Sequence, residues 1–286
     1  MGAVGLIVTD LNRSLAWYTS VLGLHVHSRT STQTWLGARG PALLVLSEQP
    51  DARPVQHGHT GLYHVALLLP TRADLARTIR RLVETRTPLT GMSDHGVSEA
   101  IYLNDPDGHG IEIYRDRPRA EWPVRDGALE MTLDPLNVAS VLAEVTHGRV
   151  AWHGIAEGTR VGHVHLHVRD LEEARRFYCD VLGFDLMQAW AGQAIFVAAG
   201  GYHHHLGLNV WAGVGATPPP DDAARLDWYE IRLPSDAAYA QVVARLRAAG
   251  VGVAETLGVA TLRDPSGNTF RLIDSHLEGG GAEQGM

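Results

Sequence analysis

A chain of 286 residues with 45% hydrophobic content has the length for about two domains and the apolar mass for real cores, which excludes disorder as its default state. Its formal charge of -8 supplies no basic stripe for nucleic acid, and no apolar run reaches the roughly 20 residues that cross a bilayer. The single cysteine, Cys179, excludes an intramolecular disulfide, and the start MGAVGLIVTDLNRS lacks the basic region of a secretory signal, so a reducing cytoplasm is the expected compartment.

The first apolar strand runs into Val8-Thr9-Asp10-Leu11. There Asp10 leads a helix carrying Trp17 and Tyr18 at core spacing, and Gly23 stops it before the next strand. A second strand-led unit opens at Tyr63 to Pro70 (YHVALLLP) and closes with Ile101 to Tyr114. In that closing run the turn Asp105-Pro106-Asp107-Gly108 folds one strand back on another, placing Tyr102 and Glu112 on neighbouring strands, with His95 seven residues before Tyr102. Ile111 and Ile113 flank Glu112, so if they face one side of the sheet, Glu112 faces the other alone. A lone carboxylate on a buried face needs a partner, and a metal ion is a good one.

A segment of about 44 residues follows, with an apolar-periodic stretch from Leu133 to Val145 that predicts a short helix, so it reads as a structured connector. The opening pattern then returns. Val168-Arg169-Asp170-Leu171 and Phe177-Tyr178 repeat Val8 to Leu11 and Trp17-Tyr18 at an offset of 160 residues. After the loop at Pro218-Pro219-Pro220, Asp227 to Pro234 (DWYEIRLP) repeats the strand at Tyr63, and Asp264-Pro265-Ser266-Gly267 repeats the second unit's turn. The chain therefore divides into four units of strand, helix and three strands, at 3 to 48, 61 to 116, 161 to 212 and 226 to 275, followed by a Gly-rich tail from Gly279 expected to fray. Of the 16 histidines, His57, His59, His109, His147, His153 and His276 read as exposed or structural.

These units and motifs resemble the vicinal oxygen chelate superfamily, and within it the type I extradiol ring-cleaving dioxygenases of the catechol 2,3-dioxygenase kind. That family's signature is matched by His95, Ile101, Tyr102, Asp105, Pro106, Gly108 and Glu112, with Ser93 a minor departure. The resemblance implies an α+β fold in which four βαβββ modules form two open barrels, the glyoxalase/bleomycin resistance/dihydroxybiphenyl dioxygenase fold. In chain order this gives an N-terminal domain over 1–116, a connector over 117–160 and a C-terminal domain over 161–286. It also implies a metal held by His64, Glu112 and His163, with His165 and His167 as alternatives on the face of His163. Among His203, His204 and His205, the family's proton-handling histidine fits His205 best and His204 next, while His95 and Tyr102 hold the substrate oxygen.

Trp228, Arg271 and Ala3 occupy the corresponding positions of units four and one, so those units lack a ligand set, and pairing of unit two with unit three is expected. The implied activity is Fe(II)-dependent opening of a catechol by dioxygen to a hydroxymuconic semialdehyde, with Mn(II) accepting the same ligands. A catechol and dioxygen are the implied partners, with neither nucleic acid nor membrane, and homo-oligomerisation is left open. Two other classes share the fold: metal-dependent lyases and isomerases of the glyoxalase kind, and metal-free proteins that sequester antibiotics. Asn209, where Glu112 would repeat in unit three, weighs against a second carboxylate ligand.

Overall fold

Each unit begins with a helix cap that its sequence supplies. In the structure, a computed structural model describing residues 1–145 and 152–274, Asp10 accepts the Arg13 amide at 2.9 Å to open the helix Leu11–Ser20. Asp170 accepts the Glu173 amide at 2.8 Å to open Leu171–Arg175, which continues as a π-helical turn over Arg176–Val181. Gly23 and Gly183 then reverse the chain at φ of 69° and 90°, a region that favours glycine. Thr71 and Ser235 cap the helices of units two and four, Arg72–Glu84 and Asp236–Ala248. The expectations for His147, His276 and the tail from Gly279 lie outside the described residues.

Two open sheets carry the four units. The nine-stranded sheet runs Asp134–Pro135, Gly91–Asp94, Ser98–Asn104, Gly110–Asp116, Gly61–Leu68, Arg160–His167, Leu206–Asn209, Ala194–Ala198 and Asp185–Trp190, so it joins unit two to unit three. The eight-stranded sheet joins unit four to unit one through an antiparallel seam in which Val4 faces Tyr229. In the first sheet the seam is Gly61–Leu68 against Arg160–His167, with His165 opposite His64 and His163 opposite Ala66. Two register shifts flank His163 and His165, and such bulges re-aim side chains. Gly162, inside the first bulge, permits this close approach, because a Cβ there would run into the Tyr114 hydroxyl.

Alternation along these strands sorts the side chains. Val65, Leu67, Ile101, Leu103, Ile111, Ile113, Val164 and Leu166 enter the main core, while His64, Tyr102, Glu112, His163 and His165 line one cavity on the other face. The turn of the second unit in each half is pinned to the helix of the first. The Tyr18 hydroxyl donates to Asp105 at 3.0 Å and the Tyr178 hydroxyl to Asp264 at 2.9 Å. His109 Nε2 adds a bond to the Ile7 carbonyl at 2.9 Å, a structural role. Sheet seams link units two to three and four to one, and these pins link one to two and three to four, so the modules close a ring.

The cup of units one and four is filled by its own side chains. The Arg271 guanidinium lies 3.9 Å over the Trp228 ring, and Trp228 packs on Ala3, Val45 and Trp35.

The connector is structured, but its helix starts later than its periodicity predicts. Asp134–Pro135 instead adds an edge strand beside Gly91–Asp94, and the helix begins at Val138 and tightens into a 3-10 turn over Ala143–Val145. Pro135 has no N–H for a helix interior, and Asn137 supplies the cap by accepting the Ser140 amide at 3.0 Å. Arg72 clamps this helix to the sheet by bonding Glu99 and Glu144 at once.

Candidate metal centre

Three strands bring His64, Glu112 and His163 together. His64 and His163 stand on the two strands of the central seam, and Glu112 lies on the strand beside His64, with Ala66 as its register partner. All three are buried, and one ligand atom from each lies within 4.8 Å of the others. The Nε2 atoms of His64 and His163 lie 3.0 and 3.1 Å from Glu112 Oε2, about the spacing of adjacent ligands around a metal roughly 2.1 Å from each. His64 Nε2 makes no hydrogen bond despite that proximity and its burial. An orphaned nitrogen beside a buried carboxylate that no lysine or arginine among the described residues neutralises is what a cation would complete.

The electrostatics agree with that fit. Burial pushes the Glu112 carboxyl up, but the charge and hydrogen bond of His163, together with the nearby His64, outweigh it and hold the group well below its ordinary range. Burial lowers His163. A carboxylate and a neutral imidazole are the forms that bind a metal.

The cavity over these residues has a volume of about 570 Å³. Tyr102 is the register partner of Glu112 across the hairpin, and burial, followed by the Glu112 charge, raises its hydroxyl well above the usual value. His95 Nδ1 donates to the Thr132 carbonyl at 2.9 Å, so in the neutral ring Nε2 is bare and accepts the Tyr102 hydroxyl at 2.7 Å. The far wall is apolar, built from Met131, Leu133, Trp190 and Phe196, and no lysine or arginine is among the described lining residues.

His204, rather than His205, lines this cavity, with its ring 4.1 Å from that of His163. The sequence ranks His205 ahead of His204, and it is His204 that meets the cavity. His205 packs near Phe184 and Tyr202, where burial pushes it down to about 4. His165 also lines the cavity, its ring 4.9 Å from His64, but stays outside the three-residue group. His167 is held by Asn209, whose side-chain oxygen lies 2.7 Å from His167 Nδ1 and also accepts the Trp211 amide.

The Glyoxalase/Bleomycin resistance protein/Dioxygenase superfamily model matches residues 1–113 and 160–272. The chain belongs to that superfamily. Among curated proteins it is 43% identical over 274 residues to "Catechol-2,3-dioxygenase" of Bacillus subtilis (strain 168), covering 94% of this chain and 95% of that protein. It is also 26% identical over 133 residues to "Biphenyl-2,3-diol 1,2-dioxygenase" of Sphingomonas paucimobilis, covering 41% of each. Among solved structures, a mutant of glyoxalase I from Zea mays superposes with a TM-score of 0.60 at 17% identity, over 96% of this chain and 93% of that one, a likeness of fold alone.

Within this superfamily chain, some site residues carried no sequence signal. Met131 and Leu133 come from the connector, where nothing marked them as cavity walls. Trp190 lines the cavity together with its neighbours Ala191 and Gln193. Tyr63 and Trp211 stack edge-on at 5.1 Å at the cavity margin, a pairing across 148 residues that no local pattern announces.

Proposed function

We propose that this protein is an extradiol dioxygenase that opens the ring of a catechol beside its hydroxyl pair, using Fe(II) held by His64, Glu112 and His163. The observation that carries the reading is the buried two-imidazole, one-carboxylate group at the floor of an apolar cavity. The 43% identity to a catechol 2,3-dioxygenase over nearly the whole chain supports it. The chemistry supplied by a bound Fe(II) is electron transfer between an electron-rich ring and dioxygen.

The protein's own residues bind the diol and manage its protons. Tyr102 can accept a proton from a catechol hydroxyl as it passes its own to His95 Nε2, while the Thr132 carbonyl holds the other end of the imidazole. His204, kept neutral by burial, stands beside His163 as a base that can take a proton and return it as the ring opens. The aromatic and aliphatic wall excludes water and orients the ring.

A glyoxalase-type site is less well supported, because the Asn209 side chain is committed to His167 and the Trp211 amide and adds no fourth ligand. The deciding test is anaerobic purification, metal analysis, reconstitution with Fe(II) or Mn(II) in parallel, and addition of catechol in air. Oxygen uptake with a yellow semialdehyde is expected, strongest with Fe(II). Bound metal without oxygen uptake would point to the lyase or isomerase class, and no metal uptake would refute the site.

A further inference from the structure

The strand that presents Glu112 to the metal site presents a second carboxylate, Asp116, on the same period-two face two pleat repeats further on. Asp116 Oδ1 lies 2.9 Å from His203 Nε2, and His203 Nδ1 lies 2.7 Å from His204 Nδ1. His203 is fully buried, with Tyr202 stacked on it at 4.0 Å and Trp122 against it at 5.3 Å, so its ring has no room to turn. Asp116 is fixed in turn, because the Tyr202 hydroxyl donates to it at 2.9 Å and the Tyr114 hydroxyl donates to Tyr202 at 3.0 Å.

Donor and acceptor rules assign the protons along this chain. A carboxylate only accepts, so His203 carries its hydrogen on Nε2, and in the neutral ring its Nδ1 is bare. With both rings neutral, His204 then donates from Nδ1 to that bare nitrogen, which leaves its own Nε2 without a hydrogen. We propose that Asp116 and His203 are positioning residues that lock His204 in the Nδ1–H tautomer, so that it meets the reactants as a proton acceptor. This rests on the reading of His204 as the proton-handling base of a catechol dioxygenase. It adds residues that touch neither substrate nor metal, in the way that the partner of a ring nitrogen sets what the other nitrogen can do.

The direct test is nitrogen-15 NMR of histidine-labelled, metal-free full-length protein, with the His204 resonances assigned by their loss in His204→Asn. A protonated Nδ1 and a bare Nε2 are expected, and the reverse pattern would overturn the proposal whether or not the protein opens catechols. Steady-state kinetics of the Fe(II)-loaded enzyme form the second arm. Asp116→Asn is expected to lower kcat about tenfold with KM within twofold and metal content unchanged. His203→Gln, which keeps an acceptor for His204 Nδ1, should retain more activity than His203→Leu. Wild-type kcat in both Asp116→Asn and His203→Leu would overturn the assignment. Catechol turnover by none of the proteins, with the expected tautomer present, would refute the dioxygenase reading and leave the tautomer lock standing.

Discussion

Tyr102 stands directly opposite Glu112 across the hairpin, so the carboxylate of the candidate metal centre and the hydroxyl that meets His95 are held by a single pair of strands. Loss of the hydroxyl should leave that carboxylate, and so the metal, in place. Tyr102→Phe is expected to keep full metal stoichiometry while kcat falls about a hundredfold, the usual scale of a lost proton-transfer group. A Tyr102→Phe protein that lost its metal would show the hydroxyl to be structural.

Replacement of His64, Glu112 or His163 by Ala should abolish metal content and ring cleavage together, because each offers one of the three ligand atoms of the candidate centre. Metal analysis of the His163→Ala protein checks this most sharply. Normal stoichiometry there would transfer the ligand role to His165, whose Nε2 is buried without a hydrogen-bond partner.

The two neighbouring histidines should separate cleanly. His204→Ala is expected to lose most turnover with metal retained, whereas His205→Ala, whose ring faces away from the cavity, should stay within about twofold of wild type. The opposite result in paired kinetic measurements would restore His205 to the reaction.

The cavity wall also predicts a substrate preference. With Met131, Leu133, Trp190 and Phe196 around the space and no lysine or arginine in the described lining, a carboxylate on the ring would be buried unpaired. Alkyl- and aryl-substituted catechols should show kcat/KM values at least about tenfold above those of catechols bearing a carboxylate. Equal values across both groups would refute this reading of the wall.

Separate expression of residues 1 to 125 and 150 to 286 tests the ring of modules. Each fragment would bare the seam strand of both sheets, Val4–Val8 and Gly61–Leu68 in one, Arg160–His167 and Arg225–Leu233 in the other. A stability of roughly 5 to 15 kcal/mol cannot absorb that loss. Neither fragment should fold alone, as read by circular dichroism and thermal melting, whereas a mixture of the two should show a cooperative melt. A cooperative melt from either one would contradict the interdependence.

Much of this site was legible in the sequence because strand geometry is periodic. Two isoleucines around Glu112 and a four-residue turn sufficed to place Tyr102 against it. The junction of units two and three was legible by deficit, since Ala3, Trp228 and Arg271 offer no ligands, and the structure shows the last two stacked as filler. The choice between His204 and His205 was not legible, because three consecutive histidines before the strand Leu206–Asn209 give no marker of which one turns to the cavity. The link from Asp116 to His203 spans 87 residues and leaves no trace in either local pattern. The late start of the connector helix could have been read from Pro135 and Asn137, had their chemistry been weighed above the apolar period.

The seam between Gly61–Leu68 and Arg160–His167 also orders events in time. A ribosome releases His64 and Glu112 together, well before His163, so the emerging first half carries only two members of the candidate centre. The third nitrogen arrives only when the strand of unit three docks, by which point the neighbouring sheet is also being closed by unit four. Completion of the candidate metal centre is thereby deferred until assembly is nearly finished, and a truncated or stalled chain lacks one of its three donor residues.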